Sequence, residues 1–193
     1  HSIDTFLSMP TCASLHVIID PSDADLYHDA VQGLNLPGAI AGSNTRNKSI
    51  FNGLKTIPKL KSEDLILIHD AARPCINAED IASLLMAMQA ERAATLATQV
   101  SATLRRSKQD DLAAEQVSRD DLWIIQTPQA FLFGDLHEAH EKAPRSQDAT
   151  DDTALVSALG IPVKLVEGAA SNIKITHPQD LIMAEKLLNP PTI

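Results

Sequence analysis

Four short stretches of this sequence carry side chains suited to holding an anionic guest. The stretch HDAARP at 69–74 closes an apolar run, LILI at 65–68, with an acid, two of the smallest side chains and a guanidinium. A carboxylate at Asp70 can hold a cation or a substrate hydroxyl. Ala71 and Ala72 allow a ligand close to the backbone, and Arg73 can pair with Asp70 or with a phosphate. In NIKIT at 172–176, Lys174 sits near a strand end, where an ammonium can neutralise charge on a transferring phosphoryl group. In AGSNTRNKS at 41–49, Gly42 suits a tight turn into a helix whose free amides favour anions. Arg46, Lys48 and Ser49 add charge and a hydroxyl there. In QTPQAF at 126–131, Thr127 and Gln129 flank Pro128, which fixes local geometry, and they can hold a sugar or phosphate. Arg119 and Thr150 are further candidates.

Each stretch also has a plainer reading. The Asp-Arg pair of HDAARP can merely order a turn, and the Gly-Ser-Asn loop can be only a loop. Lys174 can face solvent on an edge strand, and the TPQ segment can be a structural turn. Residue types and spacings alone leave both readings open.

The elements that must position these residues show in the hydrophobic pattern. Strand-like runs recur at 14–20, 65–69, 94–100, 122–127, 162–168 and 172–176. Helical patterns lie between several of them: 22–32, 46–56 with Ile50, Leu54 and Ile57, and a helix from Asn77 to about residue 90 with Ile81, Leu84, Leu85 and Met88 on one face. Thr150 followed by Asp151 and Asp152 predicts another helix, ended by Gly160, with acids placed to suit the macrodipole. THPQDLIMAEKLL at 176–188 reads as a capped helix with proline in its first turn. Alternating strands and helices predict a Rossmann-like three-layer α/β sandwich with a mostly parallel central sheet. Such sheets bind ligands beyond the carboxyl ends of their strands. The polar segment 100–121, with Thr103, Arg105, Arg106 and Lys108, departs from the pattern and predicts either a protruding β-arm or a solvated loop.

Composition narrows the function classes. The chain has 193 residues, 44% of them hydrophobic, with 3% aromatics, so the core should be aliphatic. A net charge of −9 argues against nonspecific nucleic-acid binding, though local Arg and Lys can still hold a small anion. No apolar run reaches membrane-spanning length and no signal peptide shows, so a cytoplasmic protein is expected. Cys12 and Cys75 lack metal-site spacing and read as free thiols. The histidines show no ligand spacing either, and no metal ligand is assigned.

Taken in order, these stretches resemble the 2-C-methyl-D-erythritol 4-phosphate cytidylyltransferase family over nearly the whole chain. The resemblance rests on HS at 1–2 before a helix, G-x-x-x-R-x-x-S at 42–49, HDAARP, TPQAF at 127–131, TDD at 150–152, and VEG followed by NIKIT at 166–176. It implies transfer of a cytidylyl group from CTP to methylerythritol phosphate, with Mg²⁺ bound through the CTP phosphates. It implies that Lys174 contacts the reacting phosphate, that Asp70 helps bind the sugar-alcohol phosphate, and that Thr127 and Thr150 line its pocket. Ala71 and Ala72 would form a backbone platform near the ribose. Gly42, Arg46 and Ser49 would belong to the cytosine and ribose pocket, although the family's usual second glycine is Ser43 here. Arg73 and Thr176 would support the site. Thr103 and Arg119 would be residues of a dimerisation arm over 100–121, exchanged between subunits of a homodimer.

The family opens with a strand, a glycine-rich loop and a Lys-Gln pair. The sequence given begins after these, and residues 1–41 hold no Lys or Arg. The expectation is one nucleotidyltransferase domain over 1–193, N-terminally incomplete, inactive by itself, in a parent that can be fused to a cyclodiphosphate synthase. Two alternatives stay open. One is a ribitol-5-phosphate cytidylyltransferase, whose motif usually has valine where Ala72 stands. The other is a dimeric nucleotide-binding protein without catalysis, should the loop be truly missing.

Overall fold

Adjacent residues of two central strands serve opposite faces of one sheet, and this divides the core in two. The computed structural model describes residues 1–108, 111–143 and 151–190. Its main sheet has four strands, in the order β3 (Leu65–Ile68), β7 (Trp123–Leu132), β4 (Ala93–Gln99) and β8 (Lys164–Glu167). On one face, Ala93 and Phe131 pack with Ile50 and Leu54 of α3 (Arg46–Thr56), Leu136 and Ala139 of α5 (Phe133–Lys142), and Leu155 and Val156 of α6 (Asp152–Ser157). On the other, Ala94, Leu96 and Ala130 pack with Ile81 and Leu84 of α4 (Ala78–Ala87). The switch from 93 to 94 and from 131 to 130 is the period-two alternation of a strand. The three-layer α/β arrangement expected from the sequence is therefore present.

Strand direction refines that expectation. β4 and β8 pair in parallel, but β7 runs antiparallel to both β3 and β4. Three of the four strands thus share a direction, while two of the three pairings are antiparallel. A second, two-stranded sheet pairs β1 (Ile18–Ile19) with β2 (Ile40–Ala41) in parallel. The polar segment contains an antiparallel hairpin, β5 (Leu104–Ser107) with β6 (Ala113–Val117). The remaining helices are α1 (Ser2–Leu7), α2 (Ala24–Ala30, after a 3₁₀ turn at Pro21–Asp23) and α7 (Pro178–Leu188).

Caps explain several boundaries. Thr45 and Asn77 accept hydrogen bonds from the Lys48 and Asp80 amides at the starts of α3 and α4. Asp151, rather than the expected Thr150, caps α6 by accepting from the Ala154 amide; Thr150 lies outside the described residues. Gly160 follows α6 with φ of +79°, a left-handed conformation that glycine adopts without strain. α4 stops at Ala87, short of the expected residue 90. The 172–176 segment is no strand: its Ile175 amide donates instead to the Ala72 carbonyl.

Among the described residues, no helix is long and apolar enough to cross a membrane. Phe131 is fully buried at the centre of the first core layer. Phe131→Ala should lower the unfolding free energy by about 3–5 kcal/mol in urea titrations. A loss below about 1 kcal/mol would show that Phe131 does not close this core.

Candidate active site

The site is built where β3 ends. β3 runs into His69 and Asp70, and a turn returns the Arg73 amide to the Asp70 carbonyl at 2.9 Å. The Ala72 carbonyl in this turn receives the Ile175 amide at 2.8 Å, which lays the 172–176 segment alongside. Asp70 and Lys174, 104 residues apart in sequence, meet there: Lys174 Nζ donates to Asp70 Oδ2 at 2.8 Å. The other carboxylate oxygen, Oδ1, accepts from Arg46 Nε at 3.0 Å. Arg46 stands in the first turn of α3 and reaches on to Asp152, donating from Nη1 to Oδ2 at 2.7 Å.

Thr127 is aimed at the same point by an irregularity in β7. Gln129 pairs with Thr95 and Ile125 with Ala97, so residues 126–128 oppose Leu96 alone. Proline has no N–H to give a ladder, and the strand bulges there. The Thr127 hydroxyl then accepts from the Asp70 amide at 3.0 Å and faces His69 Nδ1 at 3.1 Å. The other ring nitrogen of His69 lies 3.0 Å from the Arg73 carbonyl. A carbonyl only accepts, so Nε2 carries the proton and Nδ1 accepts from the Thr127 hydroxyl. Burial lowers the His69 pKa and favours this neutral form.

Arg73 does not pair with the Asp70 carboxylate. Its guanidinium points under the site, donating to the Asn172 carbonyl at 2.7 Å and the Ile125 carbonyl at 3.4 Å. Asn172 is itself fully buried and donates to the Thr127 carbonyl at 2.8 Å. Arg73 and Asn172 thus tie the 172–176 segment to β7 beneath Lys174. Thr176 supports the segment's far end: its amide and that of His177 both donate to Asp180 at the start of α7.

A side chain at Gly42 would be crowded. A Cβ there would meet the Ile19 carbonyl oxygen at 3.0 Å and Ser49 Oγ at 3.2 Å. The Ser49 hydroxyl accepts from the Ser43 amide at 2.8 Å and lies 2.9 Å from the Thr45 carbonyl, so it stitches this turn to α3. Ala71 is exposed at the rim and Ala72 is partly covered.

The other expected residues are not brought into this cluster. Thr103 and Arg119 line a groove at the base of the hairpin, with Arg119 donating to the Ser101 carbonyl. Gln129 holds no open position for a guest; it is fully buried and accepts from the Asp152 amide at 3.1 Å. Cys75 is buried, which raises its thiol pKa and disfavours the reactive thiolate. By sequence, Asp152 reads as a helix-start acid of the TDD motif and His140 is weighed only as a metal ligand, yet both join this network. His140 Nε2 lies 2.9 Å from Asp152 Oδ1. No spacing rule connects the two, because the contact depends on how α5 and α6 pack.

The cluster can hold an anion in a prepared place. Lys174 is 48% exposed, and among the described residues only one of its three N–H groups is committed, to Asp70. Arg46 and Asp70 fix its reach while leaving the ammonium open to solvent. A phosphate oxygen arriving there would meet a positioned donor rather than a free-swinging chain.

Comparison with known proteins shows what the chain is similar to. The family model for "IspD: 2-C-methyl-D-erythritol 4-phosphate cytidylyltransferase" matches residues 1–190. The chain is similar to the 2-C-methyl-D-erythritol 4-phosphate cytidylyltransferase of Desulforamulus reducens, at 34% identity over 97% of this chain and 82% of that protein. It is also similar to the bifunctional enzyme IspD/IspF of Gluconobacter oxydans, at 38% identity over 90% of this chain but only 44% of the relative's length. Among solved structures, a 4-diphosphocytidyl-2C-methyl-D-erythritol synthase superposes with a TM-score of 0.86 at 32% identity, covering 98% of this chain and 88% of its own. The cytidylyltransferase from Thermus thermophilus gives 0.78 at 35% identity, with 97% and 86% covered.

The Asp70 pKa is lowered from its ordinary 3.8: burial by itself would raise it, but the Lys174 hydrogen bond and the charge and hydrogen bond of Arg46 outweigh that. In the unfolded chain the carboxyl returns to its ordinary value. Its stabilising contribution is therefore complete above that value and is lost as pH falls through the lowered folded value. The stability gap between the native protein and Asp70→Asn should close as pH drops from about 6 to about 2 in urea unfolding. A gap that stays constant over that window would remove this ion-pair account.

Proposed function

The chain belongs to the 2-C-methyl-D-erythritol 4-phosphate cytidylyltransferase family, and from that premise we propose that it forms CDP-methylerythritol and pyrophosphate from CTP and methylerythritol phosphate. The observation that carries this is the convergence of Asp70, Arg46 and Lys174, from three distant stretches, into one hydrogen-bonded cluster.

In this reading an oxygen of the acceptor phosphate attacks the α-phosphorus of CTP. A P–O bond forms to the acceptor, the bond to the β-phosphate oxygen breaks, and pyrophosphate leaves with that electron pair. The attacking oxygen is already anionic at neutral pH, so no strong general base is needed. The protein's task is to position the two phosphates and to stabilise the added charge. Lys174 contacts the reacting phosphate. Asp70 orients Lys174 and meets the acceptor; Thr127 serves the acceptor pocket from beneath by holding the Asp70 amide, and Thr150, outside the described residues, is assigned to that pocket on the family resemblance. Gly42, Arg46 and Ser49 shape the nucleoside pocket, and Ala71 and Ala72 leave room for the ribose.

Among the described residues, no group of three or more His, Cys, Asp or Glu side chains could cage a metal ion. Mg²⁺ held by the nucleotide's own phosphates would need no such cage from this chain. When bound it would offset phosphate charge.

The projecting hairpin supports a homodimer in which Thr103 and Arg119 of one subunit serve the site of its partner. A cytoplasmic location belongs to the same reading. Bifunctional relatives support fusion to a cyclodiphosphate synthase domain as one form the parent protein can take.

The test is pyrophosphate release by the protein expressed from its whole gene, supplied with Mg²⁺, CTP and methylerythritol phosphate. Lys174→Ala should lower turnover about a hundredfold, roughly 3 kcal/mol of transition-state stabilisation. Undiminished turnover would remove Lys174 from the mechanism. A side-by-side assay should favour methylerythritol phosphate over ribitol 5-phosphate. The opposite preference would assign the chain to the other acceptor.

A further inference from the structure

Beneath Arg46 lies a buried pair that the proposed chemistry does not use. The Asp152 side chain is 0% exposed and that of His140 is 1% exposed. Burying a carboxylate is costly unless its oxygens are paired. Asp152 meets that requirement with two partners, His140 Nε2 on Oδ1 at 2.9 Å and Arg46 Nη1 on Oδ2 at 2.7 Å. Its backbone amide is occupied as well, by Gln129. The imidazole of His140 also stacks on Phe51 of α3, with centroids 5.9 Å apart and rings 6° from parallel. α3 is the helix that carries Arg46, so His140 grips both the carboxylate and the helix.

We propose that the His140–Asp152 pair is a positioning device for Arg46: it fixes the guanidinium in the geometry that receives the nucleotide and, through Arg46 Nε, holds the Asp70 carboxylate that meets the acceptor. His140 and Asp152 touch no substrate in this scheme and are positioning residues. The argument is one of freedom removed. An arginine near a surface has several rotamers, and ordering it carries an entropic cost. Arg46 is 29% exposed, so solvent by itself would not hold it. Asp152, immobile within the core, takes one arm of the guanidinium and leaves Nε directed at Asp70. His140 in turn prevents Asp152 from rotating toward Arg46 alone, because it occupies the other oxygen. The ordering cost is then met during folding rather than on nucleotide binding.

The inference rests on Arg46 belonging to the nucleoside pocket, and the two can fail separately. The experiment uses the whole-gene protein and reads two quantities. The first is water exchange of the Arg46 Nε–H proton by NMR, which needs no turnover. The second is the KM for CTP, measured in the native and Arg46→Ala backgrounds. His140→Leu removes the donor at similar volume and should speed Arg46 Nε–H exchange about tenfold and raise the KM for CTP about tenfold, with kcat within about twofold. His140→Gln, whose Nε2 can stand where the imidazole Nε2 stood, should restore both. In the Arg46→Ala background, His140→Leu should change the KM no further. If melting shows His140→Leu to be unfolded, His140→Asn, whose shorter donor falls short of Asp152, replaces it in the comparison with Gln. Unchanged Nε–H exchange in the variant lacking the reach to Asp152 would overturn the proposal, as would an equal KM penalty in both backgrounds. A native protein that turns over no CTP would sink the proposed function, while the exchange measurement would still decide this one.

Discussion

Two cations beside one carboxylate set the terms for this structure. Arg46 and Lys174 carry like charges, and Asp70 is the group both of them touch. Without Asp70 between them, their mutual repulsion would drive the flexible lysine into solvent. With it, the pair is held near a strand end, a place where backbone amides and small side chains admit a ligand. Such a contact between partly exposed groups adds little to stability. Its importance lies in geometry: the carboxylate converts a mobile ammonium into a directed one.

Holding Asp70 in turn requires an unusual amount of backbone control. The Thr127 hydroxyl accepts from the Asp70 amide and donates its own proton to the His69 ring. The bulge at Pro128 is what turns Thr127 toward that amide. A regular strand would have given Thr127 a ladder partner on β4 and a different orientation. On the other side, Arg73 and Asn172 use buried hydrogen bonds to fasten the lysine-bearing segment to β7. The charged cluster is therefore supported by polar groups sunk beneath the surface, and these are the groups whose loss leaves unpaired partners behind.

How much of this could be read from the sequence depends on whether the cause was local. Strand-like runs at 65–69 and 94–100 predicted β3 and β4 because a buried strand needs little more than apolar residues of the right length. Asn77 and Thr45 announced their helices through the short-range chemistry of capping. α5 was missed for the opposite reason. It leaves β7 directly, with no polar cap, and its first amides, from Phe133 and Gly134, donate to the carbonyls of Asp64 and Ser62. That substitute for a cap comes from a distant loop, so nothing nearby in sequence signals it. The 172–176 segment misled in the same way: its alternation is strand-like, but it finds one carbonyl at Ala72 rather than a neighbouring strand. At the site, the nature of Asp70, Arg46 and Lys174 was legible from residue type. The direction of Arg73 was not, since a guanidinium beside an aspartate in sequence gives no hint that it will reach for Asn172 instead.

The charge balance of the cluster carries a consequence for how a guest enters. Arg46 and Lys174 are countered by Asp70 and Asp152, so the cluster is close to neutral, and a strongly anionic guest is not drawn in by a bare positive field. Binding then rests on the donors the cluster leaves open. A phosphate oxygen that engages Lys174 shares the ammonium with Asp70, because three N–H donors let one lysine serve both. Arg46 has no such freedom, because Asp152 anchors it from within the core. The cluster thus joins a fixed cation to a movable one through a shared carboxylate. A nucleotide needs a stationary contact for its recognition, whereas the charge that moves along the reaction coordinate needs a donor able to follow it. In the proposed function Arg46 and Lys174 would divide those two demands between them, with Asp70 as the joint.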